Sequence, residues 1–476
     1  MPDPYQVGRP IPRLEIERAW LVDPVTGREG IGRLRIEGGS IAELEWREAD
    51  TGTPPAYLVV PGFFDLHVHL REPGNEDAET VASGLAAAGH GGFTTVCAMP
   101  NTTPPGDDAA WLAQMAAHAA TSGSPVRLLA CGTTTAGRAG AALAPLGELA
   151  DAGAVGFSDD GSPVTDPALL RNALAYAGAL GRPIVEHPED SGLTRDAEAH
   201  EGLVATILGL RGWPAAGEEA AVARDLAILA QARHDAPAGA SPRLHLTHLS
   251  TAGSVDLVRR AKSSGLPVTC DVTPHHLALH DGWVAGDRRL AWEAAPQPWS
   301  GQAVAGEPYD PSTRVNPPLR TPADALALAA GLCDGTVDAI ATDHAPHRAV
   351  DKAIEYGDAL PGISGLETAV GLLLAAVDAG VVDLLTLVRA LTTGPRKVLT
   401  GPEGAFGSAL PGPAPQLQQG APADLVLIDR ASPWRVSPDT LLSRGRNTPL
   451  MGRELPARVL LTLAGGRVAF ADPSCS

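Results

Sequence analysis

The sequence has 476 residues and is poor in cysteine, lysine and aromatic side chains. Its five cysteines are widely spaced and form no CxxC pair, which argues against a disulfide framework and against a thiolate zinc site. No apolar run reaches the roughly 18 residues that a membrane-spanning helix needs. The N-terminus also lacks the charged-then-apolar pattern of a signal peptide. We therefore expect a cytoplasmic protein that has no membrane partner.

Basic residues are outnumbered, with 36 Lys and Arg against 55 Asp and Glu, which gives a net charge of −19. Binding to nucleic acid or to an anionic membrane requires an excess of Lys and Arg for phosphate contacts, so both functions are disfavoured. Only three lysines are present: Lys262, Lys352 and Lys397. A small anionic substrate would therefore need positive charge supplied locally by its own binding site.

The two ends of the chain resemble each other in pattern. Short alternating β segments broken by Gly and Asp turns occupy residues 13–60, and similar segments recur at 421–430 and 457–470. We predict that residues 1–60 and 401–476 together form one small β-sandwich domain.

Residues 61–400 have a different pattern, in which short apolar runs alternate with Ala/Leu-rich helical stretches. The runs predicted as strands are 63–70, 93–99, 126–132, 154–160, 183–187, 243–249, 266–272 and 338–344. Eight such repeats predict an α/β fold, a (β/α)8 TIM barrel, and no GxGxxG or P-loop motif favours an open nucleotide-binding sheet. The Pro- and Gly-rich segment 285–315 is predicted to be a long loop before the eighth strand.

Metal-competent residues stand at the ends of five predicted strands, where a barrel of this type places its active site. They are His67 and His69, Asp159 and Asp160, His187, His248, and Asp343 with His344. Residues two positions apart on a strand face the same side, so His67 and His69 can converge on one cation. Imidazole and carboxylate ligands without thiolates suit Zn²⁺ or a related divalent ion in a catalytic site.

Ordinary structural roles compete with this interpretation. His187 or His248 alone could be a core histidine, Asp343 could cap a helix, and Asp159 and Asp160 could both cap a turn. His275 and His276 remain open between supporting the site and a purely structural role. Four further histidines are expected to be ordinary surface residues: His118, His200, His234 and His280.

With these residues assembled, nearly the whole chain resembles the bacterial class I dihydroorotases of the amidohydrolase superfamily. The resemblance rests on PGFFDLHVHLREPG (61–74), GGFTTVCAMPNTTP (91–104), GFSDDG (156–161), EHPED (186–190), HLTHLS (245–250), VTPHHL (272–277), VNPPLR (315–320) and ATDHAPH (341–347). The chain departs from the family pattern beside His187, where Glu186 and Pro188 replace the usual Ala and Cys.

The resemblance implies one or two Zn²⁺ ions per subunit. His67 and His69 would bind one ion and His187 and His248 the second, while Asp160 would bridge them where many relatives use a carboxylated lysine. Asp343 would be both a ligand and the catalytic acid/base. The residues that the resemblance assigns to substrate are His69, Arg71, Asn101, Asn316, His347, Pro361 and Gly362.

The activity implied by the resemblance is the reversible cyclisation of N-carbamoyl-L-aspartate to (S)-dihydroorotate in pyrimidine (UMP) synthesis, with a metal-bound hydroxide as the nucleophile in the hydrolytic direction. Two alternatives stay open: another cyclic amidase, of hydantoinase or allantoinase type, and a non-catalytic barrel homologue. The resemblance also allows a homo-oligomer and an association with aspartate carbamoyltransferase, although no feature of the sequence indicates either interface.

Overall fold

The computed structural model of the protein describes residues 5–47, 53–294, 305–401 and 410–475. The strands found there are β1 (Arg13–Asp23), β2 (Arg28–Glu37), β3 (Ser40–Trp46), β4 (Tyr57–Pro61), β5 (Phe63–Val68), β6 (Phe93–Ala98), β7 (Arg127–Ala130), β8 (Phe157–Ser158), β9 (Ile184–Glu186), β10 (Ala199–His200), β11 (Gly212–Trp213), β12 (Leu244–Leu246), β13 (Val268–Val272), β14 (Ala339–Ile340), β15 (Leu425–Asp429), β16 (Trp434–Arg435), β17 (Glu454–Leu455), β18 (Arg458–Ala464) and β19 (Arg467–Ala471).

The α-helices in the same residues lie mostly between the central strands. They are α1 (Val81–His90), α2 (Ala109–Thr121), α3 (Leu146–Asp151), α4 (Pro167–Ala179), α5 (Ser191–Thr194), α6 (Leu203–Leu208), α7 (Ala216–Asp235), α8 (Ala252–Ser263), α9 (Pro274–Ala278), α10 (Ala291–Ala294), α11 (Pro322–Cys333), α12 (Ala349–Lys352), α13 (Ala369–Asp378), α14 (Leu384–Ala390) and α15 (Thr393–Thr400).

Eight parallel strands of the central region pair in a closed order. One run of pairings is β5–β6–β7 and the other is β8–β9–β12–β13–β14. Parallel bridges between Gly132 and Phe157 and between Val68 and His344 join the two runs at both ends. A strand is present in each of the eight predicted segments, so the strand predictions for this region are confirmed.

The terminal segments of the chain meet in one seven-stranded sheet with the order β19-β18-β15-β4-β1-β2-β3. Its neighbours run antiparallel except β1 and β4, which are parallel. A separate buried cluster of mainly aliphatic side chains, including Leu21, Leu34 and Leu463, stabilises this sheet. A bidentate ion pair between Arg127 and Asp424, with N–O distances of 2.9 Å, ties the sheet to β7.

The helices begin where the sequence supplies capping groups. Thr80 and Ser83 form a capping box at the start of α1, and Asp166 caps α4 ahead of Pro167. Within the described part of the chain, no helix combines the length and apolar character needed to cross a membrane.

The segment predicted as a long loop, 285–315, is only partly described. Its residues 295–304 lie outside the described residues, and the remainder contains the last residue of a 3₁₀ helix at Asp281–Ala285, α10, and a 3₁₀ turn at Pro311–Thr313.

Candidate metal centre and active site

The metal ligands predicted from the sequence meet at one edge of the closed strand arrangement. His67 lies within β5 with His69 just beyond it, and the others follow the ends of β8, β9, β12 and β14: Asp160, His187, His248 and Asp343. The carboxyl ends of parallel strands share an edge, which brings these six side chains together. All six are buried.

Three of these residues form what we call the first half of the centre: His67, His69 and Asp343. The Nε2 atoms of His67 and His69 lie 3.2 Å apart. Asp343 Oδ1 lies 3.0 Å from His69 Nε2 and 3.4 Å from His67 Nε2. These three ligand atoms are close enough to hold one metal ion between them.

His187 and His248 form the second half, and Asp160 lies between the two halves. Asp160 Oδ1 is 3.4 Å from His67 Nε2, 3.6 Å from His187 Nδ1 and 3.7 Å from His248 Nε2. This buried oxygen accepts no hydrogen bond from the described residues. A carboxylate oxygen surrounded by imidazole nitrogens yet lacking a hydrogen bond fits a divalent cation, and His67, Asp160 and His248 form a second set of suitable geometry.

The electrostatics of the cluster favour positive charge. Burial disfavours a charged imidazole, but Asp160 and Asp343 outweigh it and raise the pKa of His67 to about 10. His187 is likewise buried, and the neighbouring carboxylates of Asp160 and Glu189 raise its pKa to about 10. Although burial opposes it, the neighbouring histidines hold the pKa values of Asp160 and Asp343 below their usual range. Carboxylates that stay ionised here suit a bound cation.

Three residues of the site have left-handed backbone conformations that non-glycine residues seldom adopt: Arg71 (φ 60°), His248 (φ 38°) and Asp343 (φ 48°). Such a conformation costs on the order of 1–3 kcal/mol and persists where surrounding contacts fix it. Its concentration at the ends of β5, β12 and β14 indicates that side-chain direction at this edge is constrained by the fold.

Two buried aspartates hold the backbone at these positions. Asp271 Oδ1 accepts the His248 N–H at 2.6 Å. Asp65 Oδ1 accepts the N–H groups of His67 at 3.1 Å and of Thr342, the residue before Asp343, at 3.0 Å. One carboxylate therefore links the two strands that carry the first half.

Asp159 and Asp160 point in different directions. Asp159 Oδ1 accepts the backbone N–H groups of Thr134 and Thr135 at 2.9 and 3.1 Å, so it anchors the loop after β7. Asp160 alone of this pair faces the imidazoles. Asp343 caps no helix among the described residues, since the next helix, α12, is preceded by Arg348.

Arg71 lies beside the cluster, where it donates from Nε to the Pro346 carbonyl at 3.1 Å. Within the described residues, its two terminal nitrogens make no protein hydrogen bond. His347 Nε2 donates to the Pro361 carbonyl at 2.8 Å, and its buried Nδ1 has no partner in the described chain. Burial and the nearby charge of Arg71 lower the pKa of His347 to about 3, so this imidazole is neutral.

The two asparagines predicted to bind substrate contact residues of the metal centre. Asn101 accepts from His69 Nδ1 at 2.8 Å and donates to Asp160 Oδ2 at 3.2 Å. Asn316 donates from Nδ2 to Glu189 at 2.9 Å. Gly362, at φ 146°, passes so close to Ala345 and His347 that a side chain there would clash.

Two residues of the site are absent from the sequence prediction. Glu189 lies two residues after His187 and bonds its Nε2 at 3.0 Å; its place in the EHPED motif was the available signal. Asn447 accepts the His347 N–H at 2.8 Å and donates to the carbonyls of Ala345 and Gly362. Its position, 100 residues after His347, gave no sequence signal.

The burial and contacts of the remaining histidines differ in part from the prediction. His276 is structural, since it bonds the Thr273 hydroxyl at 2.8 Å and donates to the Pro317 carbonyl at 3.0 Å. The surface prediction is wrong for His200 and His280, which are buried. His200 lies 3.1 Å from the buried Arg320 guanidinium, and His280 caps the turn that follows it.

Comparison with solved structures defines the class of fold. The chain is similar to an L-hydantoinase (dihydropyrimidinase) from Arthrobacter aurescens, with a TM-score of 0.73 at 23% identity, covering 95% of both chains. A dihydropyrimidinase from Brevibacillus agri gives a TM-score of 0.72 at 18% identity, covering 96% of this chain and 95% of that one. The chain therefore shares the fold of these two proteins.

Sequence relatives narrow the class to one family. A dihydroorotase from Anaeromyxobacter sp. is 44% identical over 96% of this chain and 98% of its own length. One from Pelotomaculum thermopropionicum is 42% identical over 97% of this chain and 99% of its own. Residues 56–252 match the family model described as Dihydro-orotase-like. The chain belongs to the dihydroorotase family.

Proposed function

We propose that the protein is a dihydroorotase, which interconverts N-carbamoyl-L-aspartate and (S)-dihydroorotate. The observation that carries this proposal is the position of Arg71, whose terminal nitrogens make no protein hydrogen bond within the described residues and whose charge interacts with Asp160 and Asp343 of the metal centre. Its planar guanidinium can bind a carboxylate through two parallel hydrogen bonds. N-carbamoyl-L-aspartate and (S)-dihydroorotate both carry a carboxylate that takes no part in ring opening or closure, so it is available to Arg71.

The metal in this proposal is Zn²⁺, at one or two ions per subunit. The nitrogen and oxygen donor set supports it, with Asp160 as the bridge if two ions bind. When bound, such an ion lowers the pKa of a water molecule and polarises a substrate carbonyl.

Asp343 is the proposed proton carrier. In the hydrolytic direction a water oxygen bonds to the ring amide carbon, and the bond from that carbon to the ring nitrogen breaks. Asp343 accepts a proton from the attacking water and delivers it to the departing nitrogen. Its lowered pKa keeps it ionised, and the 3.0 Å contact with His69 fixes its direction.

Substrate binding is assigned to Arg71 and His347, with Pro361 and Gly362 shaping the adjacent wall. Arg71 would hold the substrate carboxylate and supply the local positive charge that this acidic protein otherwise lacks. The unpartnered Nδ1 of the neutral His347 can accept a hydrogen bond from a substrate N–H. Asn101 acts through His69 and Asp160, which it holds, while Asn316 bonds Glu189 through Nδ2 and offers its unpartnered Oδ1 to the substrate.

The proposal also keeps the architectural and cellular predictions made from the sequence. The closed order of eight parallel strands supports a (β/α)8 TIM barrel, and the seven-stranded terminal sheet supports a small β domain built from both ends. The sandwich packing of that domain, the cytoplasmic location, the homo-oligomer and the association with aspartate carbamoyltransferase stay predictions.

A substrate comparison tests the function. The purified protein, loaded with Zn²⁺, is assayed with carbamoyl-aspartate, dihydroorotate, hydantoin and dihydrouracil, and its metal content is measured in parallel. We expect turnover of the first pair with kcat/KM at least 100-fold above the two rings that lack a carboxylate. Preference for hydantoin would assign the site to the hydantoinase type, and absence of both metal and turnover would indicate a non-catalytic homologue.

A further inference from the structure

Glu189 bonds two residues of the site, His187 and Asn316, whose own direct contact is longer, with 3.4 Å between Asn316 Nδ2 and His187 Nε2. Its Oε2 accepts a hydrogen bond from His187 Nε2 at 3.0 Å and another from Asn316 Nδ2 at 2.9 Å. Its second oxygen, Oε1, accepts from the hydroxyl of Thr194 in α5. A single carboxylate oxygen thus holds one residue of the second half and one residue predicted to bind substrate.

The contact with Glu189 decides which nitrogen of His187 is available to a cation. Because Nε2 donates to the carboxylate, the neutral ring carries its proton there and leaves the Nδ1 lone pair free. Nδ1 is the atom that faces Asp160 Oδ1 at 3.6 Å and His248 Nε2 at 2.9 Å. Carboxylates that orient ligating histidines in this way strengthen metal binding.

The contact between Glu189 and Asn316 fixes the orientation of the Asn316 amide. With Nδ2 committed to Glu189, the Asn316 amide cannot rotate without losing a charge-assisted hydrogen bond. Its Oδ1 is buried and lacks a partner among the described residues, so it is held ready to accept from a ligand. A shift of Glu189 would therefore move the ligand His187 and the acceptor of Asn316 together.

Contacts made by the residues that follow Glu189 hold it in place. Asp190, the next residue, caps α5 by accepting the Gly192 N–H at 2.9 Å, and its own N–H donates to the Gly217 carbonyl at 2.7 Å. The Thr194 contact comes from the same short helix. The backbone next to Glu189 and its Oε1 atom are thus held by contacts outside the metal centre, which leaves Oε2 directed at His187 and Asn316.

We propose that Glu189 is a positioning residue that couples the metal-binding half formed by His187 and His248 to the substrate pocket through Asn316. This inference rests on the proposed metal centre and deepens the proposed function. It predicts that one substitution weakens both metal affinity and substrate binding, although Glu189 touches neither the ion nor the reacting atoms.

The test compares Glu189→Ala and Glu189→Gln with Glu198→Gln as the matched control. Gln can still accept at the Oε2 position but lacks the charge, while Ala removes both contacts. Glu198 accepts hydrogen bonds from the Arg211 N–H at 2.8 Å and from the Arg211 guanidinium at 2.9 Å, and among the described residues it bonds no residue of the metal centre. Zn²⁺ affinity is measured by chelator competition, and the Co²⁺-loaded proteins are compared by visible absorption.

We expect Glu189→Ala to bind Zn²⁺ about 10–100-fold more weakly, as for other residues that orient metal ligands. Its Co²⁺ spectrum should change, and its KM for carbamoyl-aspartate should rise more than that of Glu189→Gln. Glu198→Gln should match the wild type in all three measurements. The far-UV circular dichroism of each metal-free variant checks that it is folded.

Two results would overturn the inference. Wild-type metal affinity and an unchanged Co²⁺ spectrum in Glu189→Ala would remove Glu189 from the centre. Complete loss of one ion in Glu189→Gln, equal to the loss in His187→Ala, would make Glu189 a direct ligand. Failure of the proposed function is distinguishable, since the wild type would then lack dihydroorotase turnover whatever the variants bind.

Discussion

The two halves of the candidate metal centre are built in different ways. The first half comes from β5 and β14, neighbouring strands joined by the bridge between Val68 and His344, and Asp65 ties both strands together. The second half takes one histidine from β9 and one from β12, which are paired in register. There, Glu189 orients His187 through its side chain, and Asp271 holds the backbone of His248.

This difference shows what holds the metal ligands in position in each half. In the first half the strand pairing itself positions two ligands, because residues two apart on β5 share a face. In the second half each ligand depends on its own acidic neighbour. Asp160 is the residue that faces both halves, so a substitution there should affect metal binding in both of them.

The largest effect is expected from Asp160→Asn. An amide lacks the second anionic oxygen that a bridge between two cations uses, so we expect loss of metal from both halves and turnover below detection. Metal content by atomic absorption and initial rates check this. Asp159→Asn is the matched control and should keep its metal, because Asp159 faces Thr134 and Thr135. Metal loss in the control alone would reverse the roles of the two aspartates.

Asp343→Asn separates proton transfer from metal binding. General acid–base groups contribute about 10²–10⁴-fold to rates, so we expect kcat to fall by roughly 10³-fold. The second half should keep its ion, since within the described part of the chain neither His187 nor His248 bonds Asp343. Single-turnover rates together with metal stoichiometry measure both properties. More than a tenth of wild-type kcat would show that another group carries the proton.

Arg71→Lys tests the pocket beside the first half. Lysine keeps the charge but loses the planar pair of donors. A hydrogen bond to a charged group is worth about 1.5–3 kcal/mol, so kcat/KM should fall by roughly 10–100-fold with metal content unchanged. Arg348→Lys, at an exposed pair with Asp351, is the control. Unchanged kinetics in Arg71→Lys would remove Arg71 from the substrate site.

The sequence predicts the parts of this site that depend on local patterns. His67, His69 and the eight strands are predictable because strand periodicity and βα alternation are local patterns. The predicted ligands Asp160, His187, His248 and Asp343 follow once the strand ends are assigned. Glu189 was within reach, since it stands two residues from His187, but a lone acidic residue there has many ordinary explanations.

Other parts of the site depend on contacts that no local pattern reveals. Asn447 meets His347 and Gly362 only because the C-terminal segment returns to the edge of the strands. His200 and His280 are buried by the packing of segments far apart in the chain, around Arg320 in the case of His200. The left-handed backbone of His248 and Asp343 was not predicted either, because Asp and His adopt it more often than most residue types but still only in a minority of cases.

The smallest effect on metal affinity is expected from replacing Asp65 and Asp271, the two aspartates that accept backbone N–H groups beside the metal ligands. These two changes test whether the halves are held independently. Asp65→Ala leaves the N–H groups of His67 and Thr342 without their acceptor, and Asp271→Ala does the same to His248. Each buried unsatisfied group costs about 1–3 kcal/mol. We expect each change to weaken Zn²⁺ binding about tenfold, Asp65→Ala in the first half and Asp271→Ala in the second.

The measurement is a Co²⁺ titration followed by visible absorption, since two ions in different ligand sets give separable bands. Asp65→Asn and Asp271→Asn are the controls, because an amide carbonyl still accepts the same backbone N–H and should restore most of the affinity. If Asp65→Ala and Asp271→Ala each lowered the affinity for both ions equally, the two halves would not be held independently. The six ligands would then behave as one unit centred on Asp160.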